Sequence, residues 1–261
     1  MNLRLDLAYD GAPFHGFARQ RTVRTVQGDV EDALAKLFGR PVSTFVAGRT
    51  DAGVHALGQV MSVPDAPDDV DVVKVVDALN AMCKPSIAVR SARPAAPGWH
   101  ARFDARSRTY VYAILRSPQP DPFLAGTTLY HPEPLDLAAM AEAAGHLVGE
   151  HDFASFGRVA EPSMPTTRTL YELVVEGSGE IVRIRARANA FIQQMVRSLV
   201  GTLVHVGEGR IAPDDVVAIL AAKDRAEAGP VAPPHGLCLV AVEYDDGWSP
   251  PPETDPFDRP K

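Results

Sequence analysis

Residues 2–9 read Asn2-Leu3-Arg4-Leu5-Asp6-Leu7-Ala8-Tyr9, with Leu3, Leu5, Leu7 and Tyr9 alternating against Asn2, Arg4 and Asp6. Successive side chains of a strand point to opposite faces, so this spacing predicts a half-buried β-strand. A helix follows. Thr25 can cap it, Val26, Val30, Ala33, Leu34 and Leu37 recur at helical spacing, and Gly39 ends it. Two strand-like stretches, residues 42–46 and 59–63, lead to a second helix over 70–81 and a strand over 87–92. The second helix carries Val72, Val73, Val76, Leu79 and Asn80. The order β-α-β-β-α-β is the split βαβ arrangement of a ferredoxin-like unit.

The remainder repeats that order. A strand is predicted over 108–114 and a helix over 136–147. A hairpin pairs 168–175 with 181–188 across Gly177-Ser178-Gly179. A long helix over 191–206, a shorter one over 213–222 and a strand over 237–244 complete the set. No residue-level repeat is visible, but the topology predicts an α+β fold of two ferredoxin-like halves with antiparallel sheets. The halves are residues 1–100 and 101–246, joined near 94–107. The Pro-rich, acidic stretch 247–261 is expected to be disordered.

The chain has 261 residues, 46% of them hydrophobic, enough for one large or two small cores. No apolar run approaches the roughly 20 residues needed to span a bilayer, and residues 1–6 lack a signal-peptide core. With only Cys83 and Cys238, neither a disulfide framework nor a zinc site can be built. Reduced thiols in a cytoplasmic protein, without membrane or metal, are expected. The net charge of −7 argues mildly against a polyanionic partner. Arginines do cluster, at Arg19, Arg21 and Arg24, at Arg102, Arg106 and Arg108, and at Arg183, Arg185 and Arg187. A local basic face suffices for RNA, since charges are screened within about 8 Å at physiological salt. Equally, arginines on strand faces serve solubility, and charge alone favours that reading.

The most distinctive segment is Gly48-Arg49-Thr50-Asp51-Ala52-Gly53-Val54-His55-Ala56, between two predicted strands. It places an acid, a base, a hydroxyl and an imidazole on a loop, where reactive groups are commonly displayed. On composition alone, Asp51 is better explained by an Asx turn in a plain connection.

The block resembles the signature of the TruA family of tRNA pseudouridine synthases, and other segments resemble that family in the same order. They are Tyr9-Asp10-Gly11 with Phe14-His15-Gly16-Phe17, Thr25-Val26-Gln27-Gly28 with Glu31, Ala33 and Leu34, and Arg106-Ser107-Arg108-Thr109-Tyr110-Val111-Tyr112. Asn189-Ala190-Phe191-Ile192 through Met195-Val196-Arg197 and Val200-Gly201-Thr202-Leu203 follows, then Pro233-Pro234-His235-Gly236-Leu237-Cys238-Leu239. One departure is Ala18, where the family usually carries Gln.

The resemblance implies two ferredoxin-like halves with the active site in the cleft between them. It also implies isomerisation of uridine to pseudouridine in the tRNA anticodon stem-loop, at positions 38 to 40, by a cytoplasmic homodimer. Asp51 would be the catalytic carboxylate, attacking C1′ or assisting by proton abstraction. Arg197 would be its counter-charge, and Tyr110 would stack on the target base and join in proton transfer. Arg49 would contact RNA or help eject the base, Leu237 would close the pocket on the base's other face, and His55 would bind RNA. Plain roles compete: a surface arginine for Arg197, core packing for Leu237 and for one of Tyr110 and Tyr112, a structural histidine for His55. The reaction breaks N1–C1′, turns the uracil and rejoins it through C5 with no net change in atoms. No cofactor is therefore expected, and one carboxylate suffices because the leaving group returns as nucleophile. A nucleoside hydrolase would want a metal-bound water or a second carboxylate. A non-catalytic ferredoxin-like RNA-binding module would want an aromatic-bearing strand motif of the RNP type. Neither feature is found.

Overall fold

The computed structural model describes residues 1–159, 161 and 163–245. The expected disordered tail at 247–261 lies outside the described residues. The chain divides into two compact units, Met1–Arg106 with the segment from Cys238, and Ser107–Leu237. Both are mixed α+β with mostly antiparallel strands, and five α-helices occur among the described residues.

In the first unit the order is β1 (Asn2–Tyr9), α1 (Val26–Phe38), β2 (Phe45–Val46), β3 (His55–Val63), α2 (Val72–Cys83) and β4 (Ile87–Ala95). Strand β1 lies between β4 and β3, antiparallel to both, and β2 pairs with β3. Helix α1 starts where Thr25 accepts a hydrogen bond from Gly28 N at 3.2 Å, and it stops at Gly39, whose φ of 69° suits a residue without Cβ. Thr25→Ala removes that cap and should cost about 1 kcal/mol in urea unfolding. An unchanged midpoint would show that the cap carries no stability. Helix α2 is held to β4 by Asn80, which donates to Val89 O at 2.9 Å and accepts from Val89 N at 2.7 Å.

Three expectations change here. Strand β2 is only two residues long, because Thr44 gives its N–H to the Glu31 carboxylate instead of to a neighbouring strand. Strand β3 begins at His55 rather than 59. Strand β1 is buried on both faces, not one. Leu3, Leu5 and Leu7 are wholly buried, and so is Arg4. Its guanidinium pairs with Asp6 at 3.0 Å and lies 5.6 Å over the Trp99 ring and 4.6 Å over that of Tyr244. Segment 96–104 covers this polar face. Asn2 donates to Trp99 O at 2.7 Å, and Tyr244 donates to Ala101 O at 2.6 Å. Buried charges are tolerable only when paired and hydrogen-bonded, and Ser91 supplies a further donor to Asp6 at 2.5 Å.

The second unit contains β5 (Ala105–Leu115, from Ser107 on), β6 (Leu129–Tyr130), α3 (Leu137–His146), β7 (Gly149–Asp152), β8 (Thr167–Ser178), β9 (Ile181–Ala188), α4 (Met195–Gly207) and α5 (Asp215–Ala222). Its strand order is β5-β9-β8-β7, with β6 parallel to β5. Strand β9 alternates cleanly: Val182, Ile184, Ala186 and Ala188 are buried, and the arginines between them face the other way. The final strand, β10 (Leu237–Tyr244), has the predicted bounds. From Cys238 it groups with the first unit, pairing in parallel with β3 through Cys238–His55 and Leu239–Ala56.

Helix α4 starts at Met195, four residues later than predicted, because Gln194 turns the chain at φ 65° and Gln193 O is taken by Arg158 N at 2.9 Å. Its far side is not solvent. Residues 229–232 run along it: Gly229 N donates to Thr202 Oγ1 at 3.0 Å and Ala232 N to Arg197 O at 3.0 Å. Gly201 makes the approach possible, since a Cβ there would lie 1.7 Å from Pro230 O.

Candidate active site

The distinctive block occupies the connection between β2 and β3. Its turn is closed by the main chain, Val54 N donating to Asp51 O at 3.2 Å, with Gly53 at φ 79° in the position where a type II turn needs positive φ. Thr50 is buried, and its hydroxyl lies 2.8 Å from the Tyr9 hydroxyl. The fully buried Gln59 donates to that tyrosine oxygen at 3.1 Å and to Gly48 O at 2.8 Å. A buried amide so placed fixes the loop from beneath, since each unsatisfied polar group there would cost about 1–3 kcal/mol. Asp51 itself is half-buried and Arg49 is exposed.

The opening motif, Tyr9-Asp10-Gly11 with Phe14-His15-Gly16-Phe17, packs on the same loop. Phe17 N donates to Thr50 O at 3.0 Å, and a Cβ on Gly16 would lie 3.3 Å from that oxygen. A Cβ on Gly11 would lie 2.1 Å from Val54 O, so glycine is required for the backbones to meet. Gln27 of α1 then secures the motif: its N–H donates to Phe17 O at 2.9 Å, and its side chain accepts from Arg19 N and donates to Glu31. His55 sits at the start of β3, with Nδ1 3.1 Å from Gly11 N and 3.1 Å from an Asp10 carboxylate oxygen.

In the second unit, Tyr110 and Tyr112 are two apart on β5, so both side chains share one face, and both are buried. The Tyr110 ring meets Phe191 edge-on at 5.2 Å. Tyr112 donates to Pro233 O at 2.9 Å, and burial pushes its phenol well above the ordinary range despite the opposing charge of Arg197. Arg197 stands in the first turn of α4. It is half-buried, and its Nε donates to Ala232 O at 2.7 Å, so it is not an ordinary solvated arginine. Leu237 is buried at the start of β10. Residues 229–237 thus tie together the surroundings of Tyr112, Arg197 and Leu237, a role the spacing did not reveal. Gln59 was also missed. A glutamine directly before the apolar pair Val60-Met61 of a strand is the available signal.

The arginine clusters are largely neutralised. Arg19 pairs with Asp32 at 2.8 Å and Arg24 with Asp29 at 2.8 Å. Arg106 pairs with Asp245, and the buried Arg108 donates to Asn189 O at 2.7 Å. Glu172 lies 3.9 Å from Arg185 and 3.6 Å from Arg187. Among the described residues the one group able to gather three metal-ligand atoms is Glu142, His146 and Asp214, all exposed, and His146 is already paired with Asp214 at 3.1 Å. Among the described residues no helix is long and apolar enough to cross a membrane.

A family model described as tRNA pseudouridine synthase matches residues 7–104 and 143–245, and the chain belongs to that family, which makes it an isomerase. Three proteins named tRNA pseudouridine synthase A are among its relatives. That of Frankia casuarinae is 50% identical over 94% of this chain and 89% of the relative. That of Cereibacter sphaeroides is 45% identical over 92% and 95%. That of Cupriavidus taiwanensis is 42% identical over 97% and 94%.

Proposed function

We propose that the chain isomerises uridines at positions 38 to 40 of the tRNA anticodon stem-loop, with Asp51 as the catalytic carboxylate. The observation that carries this reading is the way Asp51 is presented. It follows a buried threonine whose hydroxyl meets that of Tyr9 and opens a turn that the backbone closes, Val54 N donating to Asp51 O, so the residue's place on the loop is fixed. Asp51 attacks C1′ as N1–C1′ breaks, or takes a ribose proton; the uracil, still bound, turns, and as C5 bonds to C1′ the Asp51–C1′ bond breaks or the ribose proton returns. C5 then loses its proton and N1 gains one, so the atoms balance.

Arg197 supplies the positive counter-charge to this carboxylate. Its anchoring to Ala232 supports a fixed rather than a roaming guanidinium. Tyr110 offers a ring to the flipped base, Leu237 covers the base's other face, Arg49 contacts RNA or helps eject the base, and His55 lies among the RNA-binding groups. The enzyme acts as a cytoplasmic homodimer.

Mapping pseudouridine in tRNA transcripts after incubation with the purified protein tests this directly. New pseudouridine at 38–40 is expected. Product confined to another arm of the tRNA would overturn the site assignment while leaving the isomerase class intact.

A further inference from the structure

Three rings stand in a row on the surface of the first unit. The His100 ring lies 4.5 Å from that of Phe45 at an interplanar angle of 34°, and 4.4 Å from that of Phe103 at 38°. The two phenylalanines are 45% and 75% exposed, a large apolar surface to leave in water. The Arg102 guanidinium lies 5.7 Å over the Phe103 ring and is exposed too.

The row is held from beneath. Phe45 is on β2 opposite Ser62, whose hydroxyl accepts from Ala101 N at 3.3 Å. His100 N donates to Asp104 at 2.7 Å, and His100 Nδ1 accepts from Arg102 N at 3.0 Å. Buried Ala101 accepts from Tyr244. These bonds fix the rings before any ligand arrives, which lowers the ordering cost of binding.

Sequence-tolerant RNA contacts combine aromatic faces for unstacked bases with cations for the adjoining phosphates. Phe45, His100 and Phe103 with Arg102 have that composition. Phe45 also lies six residues before Asp51, so the two are at most about 22 Å apart along the chain. We propose that the Phe45–His100–Phe103 row stacks an unpaired base of the tRNA substrate, with Arg102 meeting a neighbouring phosphate. This rests on tRNA being the substrate.

The test compares Phe103→Leu, the double variant Phe45→Leu/Phe103→Leu, and the double variant with Trp at both positions, by tRNA binding, steady-state kinetics and sedimentation. Leucine keeps apolar bulk but has no π-face, and tryptophan keeps one. Binding and KM for tRNA should weaken about fivefold to a hundredfold in the leucine double variant, with kcat nearly unchanged and near-wild-type values for tryptophan. Phe103→Leu, altered only at an exposed side chain, should show part of the same loss. Wild-type tRNA affinity in both leucine variants would overturn the proposal. So would a leucine double variant that only loses self-association, which would make the row a contact between copies of this chain. Failure of the wild-type protein to modify any tRNA would instead refute the substrate on which the proposal rests, and is read in the same assay.

Discussion

Asp51→Ala is expected to abolish pseudouridine formation, lowering turnover by at least about 10⁴-fold, while tRNA binding stays within a few-fold of wild type. The size follows from the chemistry. When a single group carries the bond-breaking step, its loss leaves only substrate positioning, and comparable deletions in other enzymes cost about 10⁴ to 10⁶ in kcat. The retained binding follows from the structure. The turn is closed by Val54 N to Asp51 O, and Thr50 is held by Tyr9 and Phe17, and none of these bonds uses the carboxylate that the substitution removes. Arg197→Ala should also be inactive. Combined with Asp51→Ala it should add almost nothing, because two groups serving one step are not additive. Single-turnover assays on bound tRNA separate chemistry from binding. Turnover within tenfold of wild type in Asp51→Ala would remove the carboxylate from the mechanism, and clear additivity would separate Arg197 from it.

The parts of the fold that could be read from sequence are those whose signals are local. Helix α1 was placed to within a residue at each end because Thr25 and Gly39 are themselves the start and stop. Strand β10 was placed on its exact bounds by an apolar run between turn residues. Strand β1 was recognised, but the burial of its polar face was not, because Trp99 and Tyr244 lie more than ninety residues away along the chain. The late start of α4 was hidden for the same reason. Its apolar spacing extends back to Phe191, and only a contact from Arg158 and the left-handed turn at Gln194 stop the helix there. Strand β7, a polar Gly-Glu-His-Asp, exists because β8 pairs with it and not because of its composition.

The site divides along the same line. Composition nominates Asp51 but favours an Asx turn, and the resemblance of the surrounding block reverses that preference. What neither supplied was how the site is supported: by Gln59 beneath the loop, by residues 229–232 along α4, and by the bonds through which Gln27 and Glu31, themselves among the resembling residues, hold the opening motif. Such groups look unremarkable one at a time. Their role is a matter of which backbone atoms they reach.

Gly201→Ala is the largest stability effect expected from a single methyl group here. In an exposed helix the change would help, since alanine is favoured over glycine by about 1 kcal/mol. Gly145 in α3 is such a case: it is exposed, and a Cβ there would meet nothing within 4 Å, so Gly145→Ala should stabilise by up to about that amount. At Gly201 the new Cβ would lie 1.7 Å from Pro230 O and 2.9 Å from Pro230 C, both backbone atoms that no rotamer change can move. Residues 229–232 must then draw away from α4. The bonds from Gly229 N to Thr202, from Ala232 N to Arg197 O and from Arg197 Nε to Ala232 O stretch or break with them. Overpacking of this kind costs about 1–3 kcal/mol, and each lost bond about 1 more, so helix propensity is outweighed. A net loss of at least about 2 kcal/mol is expected, a fall in Tm of roughly 4–8 °C for a domain of this size. Because Arg197 loses its anchor, kcat should fall as well, even below the melting transition. Comparing the two glycine variants by thermal unfolding and turnover decides the matter. Equal Tm values for Gly201→Ala and Gly145→Ala would mean that residues 229–232 yield freely and do not hold Arg197.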